Sequence, residues 1–298
     1  MTVIMDLARS MRPEQWYKNL VLFVGIVFSL NLFNAESWLK AVSAFMIFCM
    51  LSGSQYLLND VMDVERDKNH PAKRKRPIAS GSLKVGHGVA FAMAMIVLSL
   101  AWASSIGLSF LASSIAYAVL ILSYTLFLKH MVIVDVLAIS TGFVIRAIAG
   151  CLAVGVLISP WLIVSTFLLA LFLALGKRRH EKLLLKEDAA SYRGVLKDYS
   201  EKLLDQMIGI ITASLLVSYS IYTFSTERDM MMLTIPLVIY GLFRNMFFIY
   251  NDTMDDRPEV LFKDKGMLVD MTLWVIMVVL ILYDPGGYLS RDLMVFLK

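Results

Sequence analysis

The sequence predicts an all-α integral membrane protein, and three observations support this fold class. Of the 298 residues, 58% are hydrophobic and only 17% are charged, whereas a soluble domain carries about a quarter charged residues. Apolar stretches long enough to cross a hydrocarbon core of about 30 Å recur along the whole chain. The stretches between them are too short for a soluble domain, so we expect a single polytopic membrane domain over residues 1–298.

Nine apolar stretches are predicted to span the membrane. Because lipid offers no partner to backbone polar groups, these stretches must be helices rather than open strands. Glycine, serine and threonine within several of them favour close packing in a bundle. Their approximate bounds are 18–35, 38–58, 87–105, 108–128, 131–155, 160–176, 204–225, 231–250 and 267–284.

The distribution of Lys and Arg predicts the orientation of this bundle in a cell membrane. With nine spans, the N-terminus and the connections after spans two, four, six and eight share one face. Most of the 28 Lys and Arg residues lie on that face, so we expect it to be cytoplasmic and the C-terminus to lie outside. Three long, charged connections on that face are expected to form a cap over the bundle, and they are 59–86, 177–203 and 251–266.

Three aspartates carry the strongest chemical signal in the chain. Asp60, Asp63 and Asp67 are spaced i, i+3 and i+7, which on a helix places them within about 60° of one another. Three like charges on one face repel, so the pattern indicates a counter-charge, and oxygen ligands favour Mg²⁺ with substrate phosphates. The sequence therefore predicts a catalytic Mg²⁺ site at the three aspartates, supported by the amide oxygen of Asn59. A helix end that carries solubilising acids is the alternative interpretation.

A basic segment, 73–76, follows the acidic motif. Metal ions and cations share the oxygens of Mg²⁺-phosphate substrates, so Lys73 and Arg76 are predicted to bind phosphate. The alternative is an anchor for anionic lipid headgroups. The fifth span contains Arg146, and charges inside a membrane usually face a polar cavity or a partner. We expect Arg146 to reach substrate phosphate or to pair with a carboxylate of another span.

These motifs resemble those of the UbiA superfamily of intramembrane prenyltransferases. Its first signature, Asn-Asp-x-x-Asp-x-x-x-Asp, is matched by residues 59–67. The similarity extends from about residue 12 to 270, through Arg12-Pro13, Lys18-Asn19, His70-Pro71, Arg76-Pro77-Ile78-Ala79 and the segments 145–150, 176–178 and 227–229. Together the motifs resemble the branch of the superfamily that transfers phosphoribosyl groups to polyprenyl phosphates.

The resemblance implies a nine-helix UbiA-like bundle with Mg²⁺ as cofactor. It also implies transfer of 5-phosphoribosyl from phosphoribosyl diphosphate (PRPP) to a decaprenyl-phosphate-like lipid, with release of diphosphate. Such a reaction would supply lipid-linked sugar precursors of the cell envelope. Lys18, within a matching motif, is expected to take part in substrate binding.

The connection after the sixth span departs from the superfamily. Typical members carry a second aspartate motif there, whereas this chain has Lys177, Arg178 and Glu181. An acidic site combined with a basic site suits a substrate with phosphate at both ends, such as PRPP. Lys177 and Arg178 are therefore predicted to bind phosphate, although a basic collar at the membrane surface is the alternative. Tyr199 is expected either to hydrogen-bond ribose or phosphate or to lie in the interfacial aromatic belt.

Two other functions fit parts of the sequence. A typical UbiA enzyme joins a prenyl diphosphate to an aromatic acceptor, but the missing second aspartate motif disfavours this reaction. A Mg²⁺ or organic-anion transporter would hold its site near the bilayer midplane, often between inverted repeats. Here most charges lie at one face, and no repeat is evident. The expected partners are PRPP, a polyprenyl phosphate and the membrane, without nucleic acid, and a homo-oligomer is compatible with the sequence.

Overall fold

The structure is a computed structural model, and it describes residues 3–69, 73–185, 194–226, 228–251 and 264–284. Every regular element within these ranges is a helix. The α-helices are α1 (Val3–Ser10), α2 (Val24–Phe28), α3 (Ala35–Met62), α4 (Val64–Lys68), α5 (Val85–Ile106), α6 (Leu108–Leu126), α7 (Val134–Val154), α8 (Pro160–Leu185), α9 (Glu201–Ser225), α10 (Ile235–Tyr250) and α11 (Lys265–Leu282). Short 3₁₀ helices lie between them at Pro13–Phe23, Lys73–Lys75, Leu128–His130, Gly194–Lys197 and Asp229–Thr234.

Eight helical segments within the described ranges are long and apolar enough to cross a membrane. They correspond to the predicted spans two to nine, and most of their ends agree with the prediction to within a few residues. The largest difference is in α8, which continues to Leu185 instead of ending at 176. The predicted class, an all-α membrane protein that crosses the bilayer several times, is confirmed.

The predicted first span, 18–35, does not form one long α-helix. Its residues belong to the 3₁₀ helix Pro13–Phe23, of 11 residues, and to α2, of 5 residues. The chain then leaves the helical conformation at Leu30, which has a φ of +62°. Asn34 begins α3 by accepting a hydrogen bond from the Ser37 amide at 3.1 Å, which separates the two elements. End to end, the 3₁₀ helix and α2 would rise about 30 Å, but the count of nine spans is not confirmed.

The chain divides into two compact units. The first comprises Met1–Leu128 and Gly142–Ile158, and the second comprises Lys129–Thr141 and Ser159–Lys298. The predicted single domain remains a prediction. Each unit has its own hydrophobic core, and each holds part of the predicted site.

The first unit is built around α3, which packs on α5 and on the 3₁₀ helix Pro13–Phe23. Its core contains Leu22, Phe48, Phe110 and Tyr117 among other apolar residues. The backbone of residues 22–25 lies directly against α7, because a Cβ atom at Gly150 would overlap the carbonyl oxygen of Leu22. This close approach places the N-terminal 3₁₀ helix beside the polar residues of α3 and α7.

The second unit is centred on the pair α8 and α9. Its core is apolar and includes Phe172, Leu204, Ile208 and Ile249. At Gly176 of α8 an added Cβ would lie 2.5 Å from Ile249, so α8 and α10 approach closely there. The charged residues at the end of α8 are consequently held against a packed core.

Candidate functional site

Two of the three predicted aspartates converge on one guanidinium group. Nη1 of Arg76 donates to Oδ1 of Asp60 at 3.0 Å and to Oδ2 of Asp67 at 2.6 Å. Both carboxylates are buried, with exposed fractions of 2% and 3%. Arg12 pairs with the same Oδ1 atom of Asp60. We call Asp60, Asp67, Arg12 and Arg76 the acidic cluster.

Asp63 lies at the boundary between two helices. The helix α3 ends at Met62, and Asp63, with φ −94° and ψ 8°, is the residue between α3 and α4. Its amide still donates to the Asn59 carbonyl at 2.9 Å. The amide of Asp67 likewise donates to the Asp63 carbonyl at 2.9 Å, so the i to i−4 hydrogen bonds continue through this boundary. The shared face of the three aspartates remains a prediction.

Arg12 reaches the cluster from an unusual backbone conformation. It precedes the 3₁₀ helix with φ 52° and ψ 66°, in the left-handed region that residues other than glycine seldom adopt. Its guanidinium carbon lies 4.9 Å from the centre of the Tyr56 ring. The ion pair with Asp60 and this ring contact hold the side chain in place, and strained residues of this kind concentrate at functional sites.

Lys73 belongs to the same electrostatic environment. Partial burial lowers the pKa of its ammonium group, and repulsion from Arg76 lowers it further, while Asp67 and Asp63 act in the opposite direction. Lys73 thus lies among the charges of the acidic cluster. The residue lies in the short 3₁₀ helix Lys73–Lys75 and is half-buried, so a ligand can reach it.

The donor atoms of the acidic cluster fit a magnesium ion. Oδ2 of Asp60 and Oδ1 of Asp67 accept no hydrogen bond from the described part of the chain, so each carboxylate keeps one oxygen for another partner. Mg²⁺ in proteins is usually bound by one or two carboxylates together with waters and substrate phosphates. Among the described residues, no group of three or more His, Cys, Asp or Glu side chains is arranged as a metal site. The cluster is therefore suited to a metal that arrives with phosphate.

A second polar group in the first unit surrounds Arg146, which is 6% exposed in α7. Its Nε donates to Oδ1 of Asn19 at 2.7 Å, its Nη1 donates to the Gly142 carbonyl at 3.2 Å, and its Nη2 donates to the Tyr117 hydroxyl. Lys18 is half-buried and interacts electrostatically with both Arg146 and Arg12. The predicted residues Lys18 and Arg146 are thus brought together.

The basic residues after the sixth span enter a buried network of the second unit. Arg178 is 2% exposed, and it donates from Nε to Asp135 at 2.8 Å and from Nη1 to Glu181 at 2.6 Å. Tyr199 donates to the other oxygen of Asp135 at 2.8 Å. Burial and this bond to a carboxylate raise the pKa of the Tyr199 phenol, because a phenolate would be both desolvated and repelled.

Lys177 lies at the edge of this buried network. About half of its side chain is exposed, and its ammonium lies 3.8 Å from Glu181. Arg179 is held by Asp205 at 2.6 Å and by the Ile249 carbonyl at 2.9 Å. Of the cations at the end of α8, Lys177 is consequently better placed than Arg178 to meet a ligand.

The structure adds partners that sequence reasoning did not include in the site. Arg12, Asn19 and Tyr117 contact predicted site residues directly. Arg12 and Asn19 lie in motifs that carry the family resemblance, so the motifs held a signal for them. The sequence contained no such signal for Tyr117, because its partner Arg146 lies 29 residues away in another helix.

The sequence is similar to a known protein family and to named relatives within it. The UbiA prenyltransferase family matches residues 20–276. A decaprenyl-phosphate phosphoribosyltransferase of Corynebacterium glutamicum is 34% identical, over 92% of this chain and 86% of the relative. A protein of the same name from Mycolicibacterium smegmatis is 30% identical, over 92% and 91% of the two chains. The resemblance inferred from the motifs is confirmed.

The fold also matches a solved structure. A UbiA homolog from Archaeoglobus fulgidus, bound to GPP and Mg²⁺, superposes with a TM-score of 0.71 at 16% identity, covering 93% of this chain and 99% of that chain. This similarity concerns the fold alone.

Proposed function

The chain belongs to the UbiA prenyltransferase family, and we propose that it transfers 5-phosphoribosyl from PRPP to a polyprenyl phosphate, releasing diphosphate. The observation that carries the proposal is the acidic cluster, in which two buried carboxylates share one arginine while each keeps an available oxygen. Identity of 34% to a decaprenyl-phosphate phosphoribosyltransferase supports the choice of substrates. Such a product would serve as a lipid-linked sugar precursor of the cell envelope.

The acidic cluster would bind the diphosphate of PRPP through Mg²⁺. Asp60 and Asp67 would hold the metal, with Asp63 and Asn59 beside them at the end of α3. When bound, Mg²⁺ supplies a Lewis acid that stabilises charge on the departing diphosphate. Arg12, Arg76 and Lys73 would bind phosphate oxygens that the metal leaves free.

The acceptor oxygen needs no strong general base. A phosphate monoester is an anion at neutral pH, so its oxygen can attack ribose C1 without first losing a proton. The residues would then act by positioning both substrates and by stabilising the charge that the leaving group gains. In the second unit, Arg178 and Tyr199 would orient Asp135 and Glu181, and the half-exposed Lys177 would bind phosphate.

A direct assay tests the proposal. We expect the full-length protein in nanodiscs, given Mg²⁺, radiolabelled PRPP and decaprenyl phosphate, to form lipid-linked phosphoribose. Asp67→Asn should lower the rate by about 10–100-fold, since it weakens both metal binding and the contact with Arg76. Glu65→Gln is the matched control, because Glu65 is exposed on the same short helix and pairs only with Lys68 among the described residues.

Two outcomes would contradict the assignment. Prenylation of an aromatic acid from a prenyl diphosphate, without any lipid-linked phosphoribose, would favour the typical reaction of the family. Unchanged activity of Asp67→Asn would remove the acidic cluster from the metal site.

Metal removal gives an independent test. Chelation with EDTA should abolish transfer, and added Mg²⁺ should restore it. Full activity after exhaustive chelation would contradict the role of the carboxylates as metal ligands.

A further inference from the structure

Arg146 is a buried cation whose described partners are all neutral. Its hydrogen bonds go to an amide oxygen of Asn19, a backbone carbonyl and the Tyr117 hydroxyl. Its guanidinium carbon also lies 4.6 Å from the centre of the Tyr117 ring and 5.1 Å from that of Phe143. These contacts fix the orientation of the guanidinium and soften its desolvation, but no carboxylate of the described chain balances its charge.

Lys18, which interacts electrostatically with Arg146, adds a second positive charge to this region. Lys18 and Arg146 repel each other electrostatically, and Lys18 also repels Arg12. Arg12 has its own carboxylate, Asp60, whereas Lys18 pairs with no carboxylate among the described residues. Charges within a membrane protein usually face a polar cavity or a partner of opposite sign. No carboxylate of the described chain balances Lys18 or Arg146, and an anionic ligand would do so.

Arg146 is held at a point deeper along α3 than the acidic cluster. Asn19, which holds Arg146, donates from Nδ2 to the Ser52 hydroxyl and to the Cys49 sulfur, both at 3.3 Å. Ser52 precedes Asp60 by roughly two helical turns, or about 12 Å along the axis of α3. The first unit thus contains two levels, an acidic level at the end of α3 and a cationic level within the apolar part of the helix.

We propose that Lys18 and Arg146 bind the phosphate of the polyprenyl phosphate acceptor. The inference rests on the proposed function and assigns its two substrates to separate levels, with the donor diphosphate at the acidic cluster. Tyr117, which accepts a hydrogen bond from Arg146, belongs to an apolar core that also contains Leu22, Phe48, Leu51 and Ala149. Such surroundings suit a phosphate that is joined to a hydrocarbon chain. Asn19 and Tyr117 are positioning residues, because they act by orienting Arg146.

The lipid phosphate bound at Lys18 and Arg146 would act as the nucleophile of the transfer. An anionic oxygen of the lipid phosphate forms a bond to ribose C1 while the bond from C1 to the diphosphate oxygen breaks. The electron pair of that bond leaves with the diphosphate, and no proton is transferred.

Binding measurements on the full-length protein in nanodiscs separate the two levels. The probes are farnesyl phosphate and Mg²⁺-PRPP, each titrated alone. We expect Lys18→Met and Arg146→Lys to weaken farnesyl phosphate binding at least tenfold and to change PRPP binding less than twofold. Asp67→Asn should show the opposite pattern, and Lys84→Met, at an exposed lysine, should change neither.

Lys18→Met is the variant less prone to misfold, because the Lys18 side chain makes no hydrogen bond with the described residues whereas the Arg146 side chain makes three. A thermal unfolding midpoint within a few degrees of wild type qualifies each variant for the titration. Loss of PRPP binding with intact farnesyl phosphate binding would overturn the inference and assign this pair to the 5-phosphate of the donor. Unchanged binding of both probes in Lys18→Met would also overturn it.

Different results would contradict the acceptor site and the proposed function. Wild-type protein that forms no lipid-linked phosphoribose would refute the function, even if farnesyl phosphate binding still depends on Lys18. Product formation together with Lys18-independent acceptor binding would refute only the inference.

Discussion

At the scale of single residues, Tyr199 shows how the second unit holds its charges. Its hydroxyl donates to Asp135 and accepts a hydrogen bond from the Ile133 amide at 2.8 Å. Ile133 has a φ of +69°, a strained conformation for a β-branched residue. One phenol therefore supports a strained backbone and a buried carboxylate at the same time.

Replacement of Tyr199 by phenylalanine should destabilise the protein. The change leaves the Ile133 amide without its described partner and removes one donor from Asp135, which we expect to cost about 1–3 kcal/mol. The thermal unfolding midpoint in detergent measures the effect. Tyr240→Phe is the control, since 46% of that tyrosine is exposed, and equal midpoints for the two variants would contradict this role of Tyr199.

Local spacing predicted one part of the site, and long-range packing decided the rest. Asp60, Asp67 and Arg76 lie within one short stretch, so their spacing and charge predicted a shared site. The contacts of Arg146 with Asn19 and of Arg178 with Asp135 join residues 127 and 43 positions apart. No pattern in a single sequence specifies such pairs, and Asp135, which lies on a similar helix face to Arg146, pairs instead with Arg178.

At the scale of elements, α11 depends on a charged cap. Asp264 accepts a hydrogen bond from the Met267 amide at 2.8 Å and binds Arg244 through both of its oxygens. The bond from Arg244, followed by that from Met267, lowers the pKa of this carboxyl below its usual value. A lowered pKa means that the stabilisation is complete above the pKa of the unfolded state, about 3.9, and is lost as pH falls through the lower folded value.

The stability that Asp264 contributes should therefore depend on pH. Asp264→Asn keeps the cap but loses the charge, so its thermal midpoint should lie below that of wild type at pH 7. The difference should shrink as pH falls below about 4, because wild-type Asp264 then becomes protonated. Asp198→Asn, at an exposed position, is the control. A difference that stays constant between pH 7 and pH 3 would contradict the contribution of the ion pair.

Alanine should have opposite effects on stability at two helical glycines, Gly150 and Gly209. Gly150→Ala places a methyl group against the Leu22 carbonyl, so we expect overpacking to cost about 1–3 kcal/mol. An alanine at Gly209 in α9 meets no atom within 4 Å, and there the higher helix propensity of alanine should stabilise by about 0.5–1 kcal/mol. The thermal unfolding midpoints of the two variants measure this difference. A midpoint of Gly150→Ala equal to that of wild type would contradict the prediction.

Helix ends were less predictable than helix positions. Hydropathy placed eight spanning segments well, because lipid exposure imposes a strong apolar pattern. The boundary between α3 and α4 at Asp63 and the 3₁₀ conformation of residues 13–23 are features that hydropathy does not record.

At the scale of the whole molecule, the distribution of charge predicts a cytoplasmic active-site face. Cys49 and Cys151 are each 1% exposed, so the native chain should give little background in cysteine labelling. Lys84→Cys should react with a membrane-impermeant maleimide only in inside-out vesicles, and Lys40→Cys only in right-side-out vesicles. Labelling of both positions from the same side would contradict an odd number of crossings between them.

The contact between Leu22 and Gly150 also has a consequence for biosynthesis. A ribosome that adds about 5–20 residues per second needs about 6–25 s to make the stretch between these positions. During that interval residues 13–28 lack α7, and Asn19 lacks the arginine that it orients. Residues 13–28 can pack on α3 soon after synthesis, but their contacts with α7 form only later. The integration of this segment therefore depends on what the insertion machinery offers during that interval.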